Sequence, residues 1–323
     1  MNKKNHNKYH IGLTIKILIL IIFSGLILSY GIDFSMKKKY YLVMLTLRFN
    51  QLLGSLFVGG GLATCGLILQ SYFNNKLASP QTLGIINMSG VGAALSIALG
   101  FNSFWQIGFS LIGALIIFLV IPLFKMPQNG VIFLGIFLNF LGDSIIMWIK
   151  ALFANAEDYV TIDYWFWGSL NKVTNFNRFY FIIIIIAVII LIYKSSFLDL
   201  LSQGVDHVKN ITINEKTYKF NEKIILLMIG LIITIATLTT GKIGFIGLIA
   251  PHLTKKIYNG MSHNKMIILT FLTGSCILTI ALFTQILLEK LMFGTFLIGL
   301  IISIPGVIII PFILINIRGG KNV

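Results

Sequence analysis

Ten apolar runs, each bounded by charge or by clusters of Gly, Pro and Asn, set what this chain can fold into. They cover residues 11–30, 49–72, 82–100, 106–124, 130–152, 178–194, 222–240, 243–259, 265–288 and 295–317. A helix of ~20 residues spans the ~30 Å hydrocarbon layer, because each residue adds ~1.5 Å. The expected fold class is therefore all-α: a polytopic membrane protein of about ten transmembrane helices, built as one domain over 1–323. Only 11% of the residues are charged, against about 25% in an ordinary soluble domain. Such a chain cannot cover itself with polar surface, which excludes a soluble enzyme, a disordered protein and a nucleic-acid binder. The formal net charge of +15 does not restore the last class, because the bases lie in short loops between apolar runs. There they read as topology signals.

Lys3, Lys4 and Lys8 precede the first run, which is too long for a signal core and has no small-x-small cleavage site after it. It reads as an uncleaved helix. With the N-terminus inside, 16 of the 25 Lys and Arg residues fall on the inner side, so both termini are expected in the cytoplasm. Lys37, Lys38 and Lys39 run against this bias and call for an acidic partner outside. Two longer non-membrane segments follow: 195–221 inside, the most polar stretch, and 153–177 outside. The latter holds Glu157, Asp158, Asp163 and the aromatic run Tyr164 to Trp167, which reads as an interfacial anchor. The second to fifth and seventh to tenth helices run in opposite directions, the arithmetic of an inverted repeat.

Covalent chemistry finds no foothold. There is no HExxH, no GxSxG and no Walker A motif, so any ATP is hydrolysed by another chain. No cofactor is implied. Cys65 and Cys276 lie in apolar runs and read as core residues. Polar residues inside the runs are few, which makes each informative. Asn139 and Asp143 stand four apart on one helical face, and Asp143 lies either on a wet path or beside Lys150. Gln70 ends the second run, and His252 follows Pro251. A proton- or ion-coupled secondary transporter would show several paired charges in its core. The scarcity of such charges argues for an external energy source, although this rival also fits an inverted repeat. An intramembrane protease would need glycine where Phe140 stands.

Gly66-Leu-Ile-Leu-Gln70, Asn75-Lys-Leu-Ala-Ser-Pro80, Leu83-Gly84 and Gly90 resemble the first signature of the FecCD family of ABC-transporter permeases. Gly244-Phe-Ile-Gly-Leu-Ile-Ala-Pro-His252 resembles its second, and Trp167-Gly-Ser-Leu170 its W-x-x-G-S-L region. Residues 202–214 are similar to its cytoplasmic coupling loop. The chain departs from the pattern at Lys76, where the family has proline, and at Arg48-Phe49-Asn50-Gln51, which lacks a second arginine. Glu289-Lys290 before Phe293-Gly294-Thr295 is similar to the catechol-siderophore branch. The resemblance implies a permease that imports an iron chelate together with an ABC ATPase, a second permease and an extracytoplasmic substrate-binding lipoprotein. It implies coupling through Ser202, Gly204, Asp206, His207 and Asn214. Docking of the binding protein falls to Lys37, Lys38, Lys39 and Arg48. The path or gate falls to Gln70, Asn75, Pro80, Asn139, Asp143, Pro251 and His252.

Overall fold

The computed structural model describes residues 3–30, 38–123, 128–153, 162, 166–202, 215–292, 294 and 296–319. Among them are helices α1 Lys3–Ser29, α2 Lys38–Tyr72, α3 Ile85–Ala98, α4 Ser103–Leu123, α5 Gln128–Phe153, α6 Phe181–Tyr193 and α7 Ser195–Leu201. They are followed by α8 Glu215–Thr240, α9 Ile246–Ile257, α10 His263–Met292 and α11 Ile298–Gly319. Every one of the ten apolar runs contains a helix, but among the described residues not every helix is long and apolar enough to cross a membrane alone. Six, namely α1, α2, α4, α5, α8 and α10, are long and apolar enough. A seventh is reached if the turn Asn177–Tyr180 with α6 and α7 forms one span bent by 62°.

Two of the ten expected spans, those at α3 and α9, are held by helices too short to cross alone. With 14 and 12 residues they are about 21 and 18 Å long, short of the ~30 Å layer. Local chemistry shortens both. Ahead of α3, the Ser79 amide donates to Thr82 Oγ1 at 2.9 Å and the Thr82 amide to Ser79 Oγ at 3.1 Å. This turn competes with helix, and the chain enters α3 only after Gly84 at φ 76°. Ahead of α9, residues 241–244 are not helical, and Phe245 caps the helix at φ 63°.

Two expected boundaries move outward. The second run was expected to begin at residue 49, yet α2 begins at Lys38 and has 35 residues. The inner segment 195–221 is helical at both ends, in α7 and in the start of α8. Lysines mark where hydrocarbon ends; without Gly or Pro they do not stop a helix.

Helix α2 is the centre of the bundle and α1 its edge: 83% of the α2 spanning window is buried against 17% of that of α1. Small residues make the centre possible. A Cβ on Gly59 would sit 2.6 Å from the Gly274 carbonyl of α10, and one on Gly66 would run into the Gly247 carbonyl of α9. Ser275 Oγ donates to the Leu56 carbonyl at 2.6 Å, and Ser55 and Thr279 hydroxyls meet at 3.1 Å, so α2 and α10 are also tied by polar contacts.

Candidate functional site

The approaches to α3 and α9 meet. Gln81, in the turn before α3, accepts a hydrogen bond at its Oε1 from the Phe245 amide at 2.7 Å. Gly244 leaves room for that carboxamide: a Cβ there would run into Gln81 Oε1. Around this junction lies a cavity of about 260 Å³ lined by Gln81, Asn87, Asn139, Asp143, Lys242 and Phe245 among others.

Asp143 and Asn139 come from one face of α5, as their spacing requires. Asp143 Oδ1 accepts from Lys242 Nζ at 3.2 Å and from Asn87 Nδ2 at 2.8 Å. The partner is thus Lys242, in the connector before α9, rather than Lys150. Asn87 also donates to the Asn139 carbonyl at 3.0 Å, and Asn139 Nδ2 donates to the Gln81 carbonyl at 2.7 Å. Lys242 Nζ lies 4.8 Å above the Phe166 ring. The two ionic side chains are 31% and 18% exposed. A pair so placed keeps solvent contact, and a carboxylate facing hydrocarbon is costly. The arrangement makes a polar gap that offers hydrogen bonds and charge. It offers no nucleophile–base pair. Among the described residues no cluster of three or more His, Cys, Asp or Glu could hold a metal ion.

A larger cavity of about 780 Å³ lies among the ends of α2 and α9 and the start of α10. It gathers residues chosen separately from the sequence: Gln70, Asn75, Ser202 and His252 all line it, with Lys76, Lys255 and Lys256. Gln70 is 3% exposed, and its Oε1 accepts from Lys255 Nζ at 2.9 Å. His252 Nδ1 lies 2.9 Å from the Leu248 carbonyl and must donate to it; Nε2 is buried without a partner. Asn75 Oδ1 accepts from the Leu77 amide at 2.9 Å and so shapes the turn after α2.

Pro80 and Pro251 are not among the residues lining either cavity; they act in the packing beside them. The Pro80 ring lies 2.7 Å from where a Cβ on Gly247 would be, and Pro251 is buried within α9. Ser202 Oγ donates to the Asp199 carbonyl at 2.7 Å. Gly204, Asp206, His207, Asn214 and Lys37 lie outside the described residues. Lys38 opens α2, Lys39 is exposed, and Arg48 lies well inside α2, half-buried, donating to Gln51 Oε1 at 3.2 Å. Arg48 therefore does not belong to a loop between the first two helices.

Three residues of the central junction were missed. Lys242 reads as a loop base, Gln81 as part of a turn, and Asn87 sits in a run otherwise taken as packing. An asparagine inside an apolar run is the signal that could have found the last of them.

The family model described as the FecCD transport family matches residues 12–318. The ABC transporter permease protein YvrB of Bacillus subtilis is 26% identical over 309 residues, 91% of this chain and 84% of that one. The molybdate import system permease MolB of Haemophilus influenzae is 26% identical, covering 72% of this chain and 70% of its own. The vitamin B12 import system permease BtuC of Klebsiella pneumoniae is 25% identical, covering 83% and 82%. The same helical arrangement is found in a solved inward-facing ABC transporter of metal-chelate type, with a TM-score of 0.78, 23% identity and coverage of 95% and 99%.

Proposed function

We propose that this chain, which belongs to the FecCD transport family, moves an iron-siderophore-type chelate across the cytoplasmic membrane. It is an ABC importer permease, a membrane protein that works with an ATPase carried on a separate subunit and with a second permease chain. Membership of that family also decides against the ion- or proton-coupled secondary transporter. The cargo is the finer point, since relatives are named for molybdate and for vitamin B12.

One observation supports the path most: the Asp143–Lys242 pair at 3.2 Å, held with Asn87, Asn139 and Gln81 where the entries to α3 and α9 meet. Two short helices at equivalent places in two halves, each entered through a left-handed residue, are what an inverted repeat with a central site would have. On this reading the protein has ten membrane segments, two of them incomplete, with both termini inside. The inner cavity favours an anionic cargo, because Lys76, Lys255 and Lys256 line it and no carboxylate does among the described lining residues. Ferric catecholate chelates are anionic, whereas cobalamin is not, and molybdate would fill little of 780 Å³. Residues 202–214 meet the ATPase, and a substrate-binding lipoprotein docks outside near Lys37, Lys38 and Lys39.

Reconstitution of the whole transporter in liposomes tests the cargo. Uptake of radiolabelled ferric catecholate should require ATP and should exceed that of cobalamin and of molybdate. ATP-driven uptake of cobalamin or molybdate, with none of a ferric chelate, would overturn the assignment.

A further inference from the structure

We propose that the last turn of α2, Gln70-Ser71-Tyr72, is a positioning device that ties both stems of the 203–214 segment to α9. Each of these three residues bonds to a different part of the bundle. Gln70 accepts from Lys255 of α9 at 2.9 Å. The Ser71 hydroxyl lies 2.8 Å from His263 Nε2 at the start of α10. At its other side His263 Nδ1 lies 2.6 Å from Asp199 Oδ1, and the His263 backbone amide donates to the same oxygen at 2.9 Å. Asp199 belongs to α7, which ends just before the segment. Tyr72 donates to Glu222 Oε1 at 2.6 Å. Glu222 belongs to α8, which begins just after the segment.

Helix geometry explains how one turn reaches so far. Successive residues are about 100° apart, so three in a row point in three directions. The stem before the segment reaches Ser71 through a carboxylate and an imidazole, and the stem after it reaches Tyr72 directly. Gln70, one residue back, holds the helix that carries Pro251 and His252. Gln70, Ser71 and His263 are all under 9% exposed, so solvent does not readily replace these bonds. Bonds to carboxylates are the strong, directional kind. A displacement of α7 and α8 therefore cannot stay local: it must break these bonds or turn the end of α2, and α9 with it. Packed elements with two arrangements convert small shifts in this way. The proposal rests on the reading that residues 202–214 meet the ATPase.

The test uses the complete transporter in liposomes. Met261, which lines the inner cavity, is replaced by cysteine in a chain carrying Cys65→Ala and Cys276→Ala. Its labelling by a charged thiol reagent from the inner side is timed without nucleotide and with ATP plus vanadate. With the α2 turn intact the rate should change about fivefold or more, the lower range of allosteric couplings. Tyr72→Phe and Ser71→Ala should each reduce that change, and together they should abolish it. Ser71→Thr, which keeps the hydroxyl, should restore it. Tyr72→Phe combined with Glu222→Gln should do no more than either alone, as a shared bond requires. A Tyr72→Phe/Ser71→Ala chain that responds like its parent overturns the proposal, and so does one that no longer holds the ATPase. A cross-link from Gly204→Cys to the ATPase separates the two readings. Cross-linking with an unaltered response in the double variant sinks only the α2 device. Absence of cross-linking and of any nucleotide response in the intact turn sinks the docking reading beneath it.

Discussion

Replacing Asp143 with leucine strands the Lys242 ammonium at the junction of α5 and the connector to α9. Breaking a fully buried pair costs about 3–5 kcal/mol, and an exposed one is worth about 0–1 kcal/mol. With side chains 31% and 18% exposed, the expectation falls between, at about 2 kcal/mol. Phe166 at 4.8 Å retains about 0.5–1 kcal/mol of cation–π attraction for the stranded lysine. Asn87 loses its bond to the carboxylate and keeps that to the Asn139 carbonyl. Asp143→Leu should thus lower the thermal midpoint of the purified chain by about 4 °C, given about 2–4 °C per kcal/mol for chains somewhat shorter than this one. Asp143→Asn preserves an acceptor for Asn87 and should fall by about half as much. Adding Lys242→Met to Asp143→Leu removes the orphan charge and should recover most of the midpoint, an interaction of about 1–2 kcal/mol in the cycle. Transport should remain impaired in that double variant if the gap is the path proposed above, since it has lost both charges. Differential scanning fluorimetry in detergent and uptake in liposomes measure the two effects. A midpoint unmoved by Asp143→Leu would refute the energetic reasoning, and full transport in the double variant would make the pair structural only.

Gly66→Ala places a methyl against the Gly247 carbonyl and should destabilise the α2–α9 contact by about 1–3 kcal/mol, read as less folded permease in the membrane. Replacing Lys37, Lys38 and Lys39 with glutamine should slow association with the binding protein at low salt, and the difference should shrink toward 0.5 M salt as charges are screened; stopped-flow association rates unchanged at low salt would remove the docking role. Lys172 lies in the turn Leu170–Lys172, and burial lowers its pKa to about 8 from 10.5. The unfolded chain then binds more protons between pH 8 and 10.5, so this group's contribution to stability should rise with pH through that window and its penalty should be fully present below it. Lys172→Met should flatten the rise in thermal midpoint between pH 7.5 and 9.5.

The helical class and the location of the helices in the ten apolar runs were legible because apolar runs of that length have few alternatives; α7, in the polar segment after the sixth run, was not. The helix ends were not. Lys38–Lys39 and Glu222–Lys223 mark the edge of hydrocarbon, and the backbone continues through them as helix. Asp143 and Asn139 could be found because charge and amide are costly inside an apolar run. Their partner could not, since Lys242 lies 99 residues away in a connector whose course depends on Phe245 adopting a backbone angle that aromatic residues rarely take. Gln70 and His252 were each chosen alone; that they line one cavity with Ser202 is a property of the packing of α2 on α9, which spacing along the chain does not encode.

The length of α2 has a consequence for how the two faces of the membrane communicate. Thirty-five residues without a break make a rod of about 52 Å. Even at the steepest tilt common for membrane helices, about 40°, such a rod covers some 40 Å along the bilayer normal, about 10 Å more than the hydrocarbon is thick. One end at least stands beyond the hydrocarbon. The rod carries no proline, and glycines seat it against its neighbours, so a push on one end travels as rigid leverage. Pivoted at one end, a tilt of only 2° sweeps the other through about 2 Å by this geometry, comparable to a hydrogen-bond length. A load resting on the N-terminal end of α2 and the residues Gln70 to Tyr72 are thus at two ends of one lever.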